Sequence, residues 1–110
     1  MSDLAQRHCV PCEGGTPPLR LDQIEEMLVQ VPDWTVEDGQ LVRDIKCKNF
    51  RAALALVNRM GDLAEAEGHH PDMCIHAWNR VKVQLSTHAI GGLSDNDFIL
   101  AAKIDDIVTA

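Results

Sequence analysis

The spacing of hydrophobic positions changes several times along this chain, and the changes divide it into elements. From Leu19 onward, Leu21, Ile24, Leu28 and Val31 recur at helical spacing, with Asp22, Gln23, Glu25 and Glu26 between them. This pattern predicts a first helix that Pro32 stops. Trp34 to Val36 reads as a short extended run, and Asp38-Gly39 as a tight hairpin turn, because glycine tolerates the positive φ such turns require. Beyond the turn, Leu41, Ile45 and Cys47 fall on one strand face and Val42, Asp44 and Lys46 on the other. Asn49 is placed to cap a longer helix with the apolar stripe Phe50, Ala53, Leu54, Val57, Met60, Gly61 and Ala64. Gly68 is placed to end it.

A second hairpin is predicted next, with strands over Met73 to Trp78 and Val81 to Thr87 joined near Asn79-Arg80. In the second of these, Val81, Val83, Leu85 and Thr87 face one way and Lys82, Gln84, Ser86 and His88 the other, which puts His88 at the strand's end. Gly91-Gly92 breaks the alternation. Ser94, with Asp97 three residues on, has the spacing of a capping box ahead of a last helix. Its apolar positions include Phe98, Leu100, Ala101, Ile104, Ile107 and Val108. The order is αββαββα, an α+β fold in which a four-stranded antiparallel sheet carries its helices on one face. Such a sheet has edges, and in a domain this small edges are commonly paired in an oligomer.

A chain of 110 residues with 45% apolar residues forms one domain with one modest core. Residues 1–18 have no period and carry Gly14, Gly15, Pro17 and Pro18, so they read as an irregular arm ahead of a domain over 19–110. No stretch approaches the length of a membrane span, and the start MSDLAQRH lacks the basic and apolar regions of a secretion signal, so a cytoplasmic protein is expected. The formal charge of −7, with only a weak basic cluster at Arg43, Lys46, Lys48 and Arg51, argues against direct contact with nucleic acid.

Four cysteines without a secretion signal read as free thiols. Cys47 and Cys74 lie in alternating apolar patterns and are expected in the core. Cys9 and Cys12 form C-V-P-C beside His8. A redox dithiol normally opens a helix after a strand, whereas here a Gly/Pro segment follows, so a mobile or docked arm is the default reading beside a redox or metal role.

The chemistry concentrates in the histidines. Two of the five, His69 and His70, stand side by side before Pro71 in E-A-E-G-H-H-P, and His88 lies in S-T-H-A-I-G-G-L-S-D-N-D. Pro71 biases His70 toward extended backbone, so the two rings point to different sides of a pocket entrance. Glu65 lies one helical turn before His69, near enough to orient a ring or a ligand. Three readings stay open from the residues alone. The pair could cap a helix C-terminus, favoured by its dipole. It could join His88 in holding zinc, although no Cys or carboxylate stands at a familiar zinc spacing. Or it could divide acid and base roles, since imidazoles exchange protons near neutral pH and neighbouring ones disfavour double protonation. His76 beside Trp78 reads as structural or exposed, and His8 carries little information.

At E-A-E-G-H-H-P-D (65–72), W-N-R-V (78–81) and S-T-H-A-I-G-G-L-S-D-N-D-F (86–98), the chain resembles the pterin-4a-carbinolamine dehydratases, also called 4a-hydroxytetrahydrobiopterin dehydratases. The arm C-V-P-C-E-G-G-T-P-P-L also looks like that of bacterial members, so the resemblance covers nearly the whole chain. It implies elimination of water from the 4a-hydroxytetrahydropterin left by aromatic amino acid hydroxylases. The product is quinonoid dihydropterin, and no metal or organic cofactor is needed because the pterin is the substrate. His69, His70 and His88 match the family's three active-site histidines, Glu65 its helix-borne acid and Asp97 the aspartate after G-L-S. By the same resemblance, Gly68, His69 and His70 together with Ser86, Thr87, His88 and Ala89 would line the pterin. His69 or His70 is expected as general acid and His88 at the second proton.

The resemblance further implies a homodimer or homotetramer, a functional link to a hydroxylase, and an alternative role as a non-catalytic dimerisation or assembly factor. The chain departs from animal members at Gly68, where Asp is frequent, at Met73, where an aromatic is, and at Trp78, which replaces Tyr. The segment from His70 to Trp78 is one residue longer than theirs, so the pocket wall differs. Trp34 is expected in the core, with a pocket wall as its other reading.

Overall fold

The structure, a computed structural model, describes residues 4–10 and 17–109. Helix α1 (Leu21–Leu28) leads into strands β1 (Thr35–Glu37) and β2 (Gln40–Lys46). Helix α2 (Phe50–Glu67) follows, then β3 (Asp72–His76), β4 (Arg80–Leu85) and helix α3 (Asp95–Thr109). Short 3-10 turns at Leu4–Gln6 and His88–Ile90 complete the order. The strands form one antiparallel sheet in the order β1-β2-β4-β3, as the αββαββα reading requires. Helix α2 carries the chain from β2 to the far edge strand β3, and β4 returns to fill the centre.

Each hairpin has a local cause. Asp38 and Gly39 both take positive φ (52° and 74°), the backbone of a two-residue turn that suits the strand twist, and Glu37 pairs with Gln40 across it. The second hairpin departs from expectation. His76 pairs with Arg80, so the turn is Ala77–Asn79, with positive φ at Ala77 and Trp78 and the Asn79 N–H on the Ala77 carbonyl at 2.7 Å. No glycine marks this turn. It is held from outside, because the Asn79 side chain donates to the Cys47 carbonyl at 3.1 Å and the Cys47 N–H to the Asn79 carbonyl at 2.7 Å.

The core lies between one sheet face and the helices. Leu41, Ile45, Val81, Val83 and Leu85 meet Ala53, Leu56 and Met60 of α2 and Phe98, Leu100, Ala101 and Ile104 of α3. Trp34 is buried among them and donates its indole N–H to Asp105 at 2.8 Å, which settles it as a core residue. Burial pushes the Asp105 carboxyl up from its ordinary value, only partly opposed by the Trp34 N–H and the Arg43 guanidinium. Helix α3 is buried continuously from Asn96 to Ala102, more than a one-sided stripe explains. The excess is covered by the N-terminal segment, whose Leu4 is 2% exposed in the core.

Three apolar expectations are corrected. Leu21 is exposed, because α1 is a short surface helix that offers Ile24, Met27 and Leu28 to the core. The buried Val31 lies beyond the helix end, in tighter i to i−3 hydrogen bonding. On α2 the buried stripe is Ala53, Leu56, Met60 and Ala64, which leaves Phe50 and Leu54 exposed, a rotation that the spacing alone did not distinguish. Cys74 is exposed on the open sheet face, since in β3 it is Met73 and Ile75 that pack against the core. Cys47 is partly buried against the core as expected.

Helix α2 starts where Asn49 accepts the Ala52 N–H at 2.8 Å. Asn49→Ala is expected to cost about 1 kcal/mol and to lower the thermal midpoint by about 5 °C, as measured by circular dichroism. An unchanged midpoint would mean that the helix start is held by packing alone.

Candidate functional site

One buried carboxylate gathers the site. Asp97, in the first turn of α3, is 0% exposed and surrounded by donors. Its Oδ2 accepts the Ser94 backbone N–H at 2.9 Å and the Thr87 hydroxyl at 2.8 Å, while its Oδ1 lies 2.6 Å from His69 Nε2. The contact with Ser94 is the return half of the capping box. The Ser94 hydroxyl does not complete the box but lies 2.8 Å from the Thr87 hydroxyl. A carboxylate only accepts, so Thr87 spends its single proton on Asp97 and Ser94 must donate to Thr87. By the same reasoning, His69 carries its proton on Nε2 toward Asp97, leaving Nδ1 to exchange a proton with a bound molecule.

The two adjacent histidines diverge because the backbone turns between the end of α2 and Pro71. Gly68 adopts the left-handed conformation (φ 67°) and ends α2 with its N–H on the Ala64 carbonyl, and the His69 N–H reaches the same carbonyl at 3.3 Å. His69 then turns inward to Asp97, with its side chain 12% exposed. His70 turns outward, and its Nε2 meets the Glu65 carboxylate at the surface. Glu65 therefore orients His70 and not His69, because residues five apart meet here across the helix end.

His88 reaches the site from the sheet. Strand β4 ends at Leu85, and His88 opens the exposed 3-10 turn His88–Ile90, whereas alternation placed it at the strand's end. The following loop is closed by the Thr87 N–H on the Gly92 carbonyl at 2.9 Å. Gly92 faces Pro18 so closely that an added Cβ would lie 2.8 Å from the proline Cβ. His88, Ser86 and Thr87 line a pocket of about 260 Å³ with Gly91, Gly92 and the Asp38-Gly39 hairpin. Ala89 lies exposed in the same turn. His69 is thus joined to this pocket by two hydrogen bonds, through Asp97 and then Thr87, while His70 and Glu65 stand outside that network.

A larger hollow of about 500 Å³ lies on the open sheet face, lined by Arg43, Asp44, Cys74, His76 and Lys82 among others. Its histidine is occupied structurally: His76 Nε2 lies 2.8 Å from Asp44 Oδ2. The hollow is lined by none of His69, His70 or His88, whereas His88 lines the smaller pocket and His69 and His70 do not, so on chemical grounds the smaller pocket is the better candidate through His88. Among the described residues, no group of three or more His, Cys, Asp or Glu side chains is arranged to hold a metal ion, and no helix is long and apolar enough to cross a membrane.

Sequence reasoning missed the residues beneath the site. Glu67 accepts the Cys9 N–H at 2.8 Å, and its other oxygen lies 3.0 Å from His8 Nδ1 and 3.8 Å from Lys103. Burial alone would push this carboxyl up, but the Cys9 amide, the His8 imidazole and Lys103 outweigh it and hold the group below its ordinary value. The Cys9 thiol is pushed up to about 12 by its own burial and then by Glu67, the opposite of what a redox dithiol needs. Cys12 lies outside the described residues, as do Gly14 and Gly15 of the expected arm.

Known proteins resemble this chain in sequence and in fold. The family model described as pterin 4 alpha carbinolamine dehydratase matches residues 17–107. A protein of Rubrobacter xylanophilus named "Putative pterin-4-alpha-carbinolamine dehydratase" is 47% identical over 106 residues, covering 96% of this chain and 98% of the relative. One of the same name from Alkaliphilus metalliredigens is 50% identical over 107 residues, with 96% of each covered. The crystal structure of a transcriptional coactivator/pterin dehydratase from Brucella melitensis superposes with a TM-score of 0.77 at 30% identity, covering 83% of this chain and 98% of that one. Matched over nearly its whole length in sequence and over 83% of it in fold, the chain belongs to the pterin-4a-carbinolamine dehydratase family.

Proposed function

We propose that this protein is a hydro-lyase that removes water from a 4a-hydroxytetrahydropterin. The observation that carries the reading is the hydrogen-bonded path from His69 through Asp97 and Thr87 to the pocket at His88. In the reaction, the C4a–O bond breaks as an acid protonates the departing hydroxyl. The N5 lone pair forms the C4a=N5 bond, and the N5 proton passes to a base, so the products are water and a quinonoid dihydropterin. One acid and one base at a single edge of the ring satisfy the chemistry, and neutral imidazole and imidazolium serve both roles near neutral pH. The pterin is the substrate, and the proton transfers themselves call on no metal or organic cofactor.

His69 fits the acid, since Asp97 fixes its ring and directs Nδ1 away from the carboxylate. His88 fits the second proton, because it stands at the pocket in an exposed turn and has no carboxylate partner among the described residues. His70, paired with Glu65 at the surface, fits contact with the rim of the substrate. Gly68, Ser86 and Ala89 would offer backbone around the ring, and Thr87 would keep Asp97 in place. The physiological role that follows is recycling the pterin of an aromatic amino acid hydroxylase, in a cytoplasmic homodimer or homotetramer.

A second reading, a dimerisation or assembly factor, is favoured by exposed Phe50 and Leu54 on α2 and by the name of the Brucella protein, a transcriptional coactivator/pterin dehydratase. Turnover separates the two. Purified protein is expected to dehydrate freshly generated 4a-hydroxytetrahydropterin faster than the spontaneous rate, followed by ultraviolet absorbance. No acceleration by well-folded protein would leave the docking role.

His88→Ala should lower kcat by about a hundredfold with little change in substrate affinity, and Glu65→Ala should act mainly on affinity. Full turnover by His88→Ala would remove that residue from the chemistry. Asp97→Ala should lose about 3 kcal/mol in denaturant unfolding, because the Ser94 N–H, the Thr87 hydroxyl and His69 all lose a buried acceptor. A loss below about 1 kcal/mol would mean that water replaces the carboxylate.

A further inference from the structure

The N-terminal segment crosses the back of the site along a defined line. Leu4 is buried in the core, and the Ala5 carbonyl accepts from Lys103 in the middle of α3 at 3.0 Å. Arg7 then pairs with Asp95 at the start of α3 at 3.1 Å. His8 and the Cys9 N–H close on Glu67, the last residue of α2. Val10 is gripped twice by the Asn96 side chain, which accepts the Val10 N–H at 3.0 Å and donates to its carbonyl at 2.5 Å. The segment therefore ties the C-terminus of α2 to the N-terminus of α3.

Those two helix ends are the ones that carry His69 and the carboxylate that fixes its ring, Asp97. Glu67 precedes His69 by two residues, across the single glycine that turns the chain, and Asn96 immediately precedes Asp97. The 2.6 Å contact between His69 and Asp97 spans the same junction between α2 and α3. Glu67 and Asn96 are both nearly buried, with 8% of the Glu67 side chain and 5% of Asn96 exposed, and both side chains hydrogen-bond the arm, Glu67 also facing Lys103 of α3. A charged carboxylate in that position needs partners, and the Cys9 N–H, His8 and Lys103 supply them.

We propose that Glu67 and Asn96 are positioning residues through which Leu4–Val10 sets the separation of His69 and Asp97, and so the rate of proton transfer. The catalytic half of this statement rests on the dehydratase reading, and the positional half does not. Releasing the arm lets the two helix ends drift apart. Misplacement on the ångström scale is enough to slow a proton transfer by one or two orders of magnitude.

The test uses the full chain with Asn96→Ala, Glu67→Ala, Glu67→Gln and Val10→Pro, the last removing one N–H at an exposed position. The readouts are the thermal midpoint, kcat and KM for pterin dehydration, and the nuclear magnetic resonance titration of the His69 ring. Asn96→Ala and Glu67→Ala should shift the His69 titration and lower kcat by about tenfold with KM little changed. Val10→Pro should move both in the same direction but less. Glu67→Gln keeps an acceptor for the Cys9 N–H and should retain most of the rate.

Variants that lower only the thermal midpoint, with the His69 titration and kcat as in the parent, would overturn the proposal and leave the arm a stabilising strap. If Asn96→Ala fails to fold, Val10→Pro and the Glu67 pair decide on the same readouts. If the parent chain itself shows no dehydration, the functional reading fails, while the His69 titration still decides whether the arm sets the pair.

Discussion

The Asp97 carboxylate is the constraint on which the rest of this site depends. A charge with no exposure to water must be met by donors, and an unmet one would cost several kcal/mol. The fold supplies three, each from a different place: the Ser94 amide ahead of α3, the Thr87 hydroxyl beyond β4 and the His69 imidazole beyond α2. None of these segments could shift alone without taking a donor away from the charge. A helix-capping interaction has thereby become the link that registers sheet, loop and helix end against one another.

The arm solves a second problem created by the same arrangement. Helix α3 reads F-I-L-A-A after Asp97, too apolar to present a face to water. Covering it with a 3-10 turn carrying Leu4 completes the core. The cover also brings backbone groups that need partners. Lys103, Asn96 and Glu67 provide them, so the polar residues beneath the site and the apolar run of α3 are two consequences of one docking event.

Much of this was legible in the sequence, for reasons specific to particular residues. The Asp38-Gly39 turn, the Asn49 cap, the Gly68 stop and the alternation Val81, Val83, Leu85 are local signals, and the structure realises each locally. The Ala77–Asn79 turn was not legible, because Asn79 is held by Cys47, a partner 32 residues away. The rotation of α2 that exposes Phe50 and Leu54 was hidden for a similar reason: both stripes are apolar at helical spacing, and only the sheet selects between them. At the site, the histidines and Asp97 stand out by type and spacing. Glu67 and Asn96 look like ordinary helix-end polar residues until residues 4–10 are laid against them.

Identical side chains placed side by side would ordinarily be redundant, and the structure gives a physical reason why His69 and His70 are not. One left-handed glycine and one proline bracket the pair, so two neighbouring rings enter different surroundings: a fully buried carboxylate for one, an exposed carboxylate for the other. The inner ring is held by a buried partner, while the outer one stays in solvent on an exposed partner. Proton transfer asks for the first kind of group and substrate capture tolerates the second. A helix that merely needed capping would gain from either histidine alone. The inward turn of His69, onto a charge that three segments hold in place, is the feature of this helix terminus on which the proposed proton transfer rests.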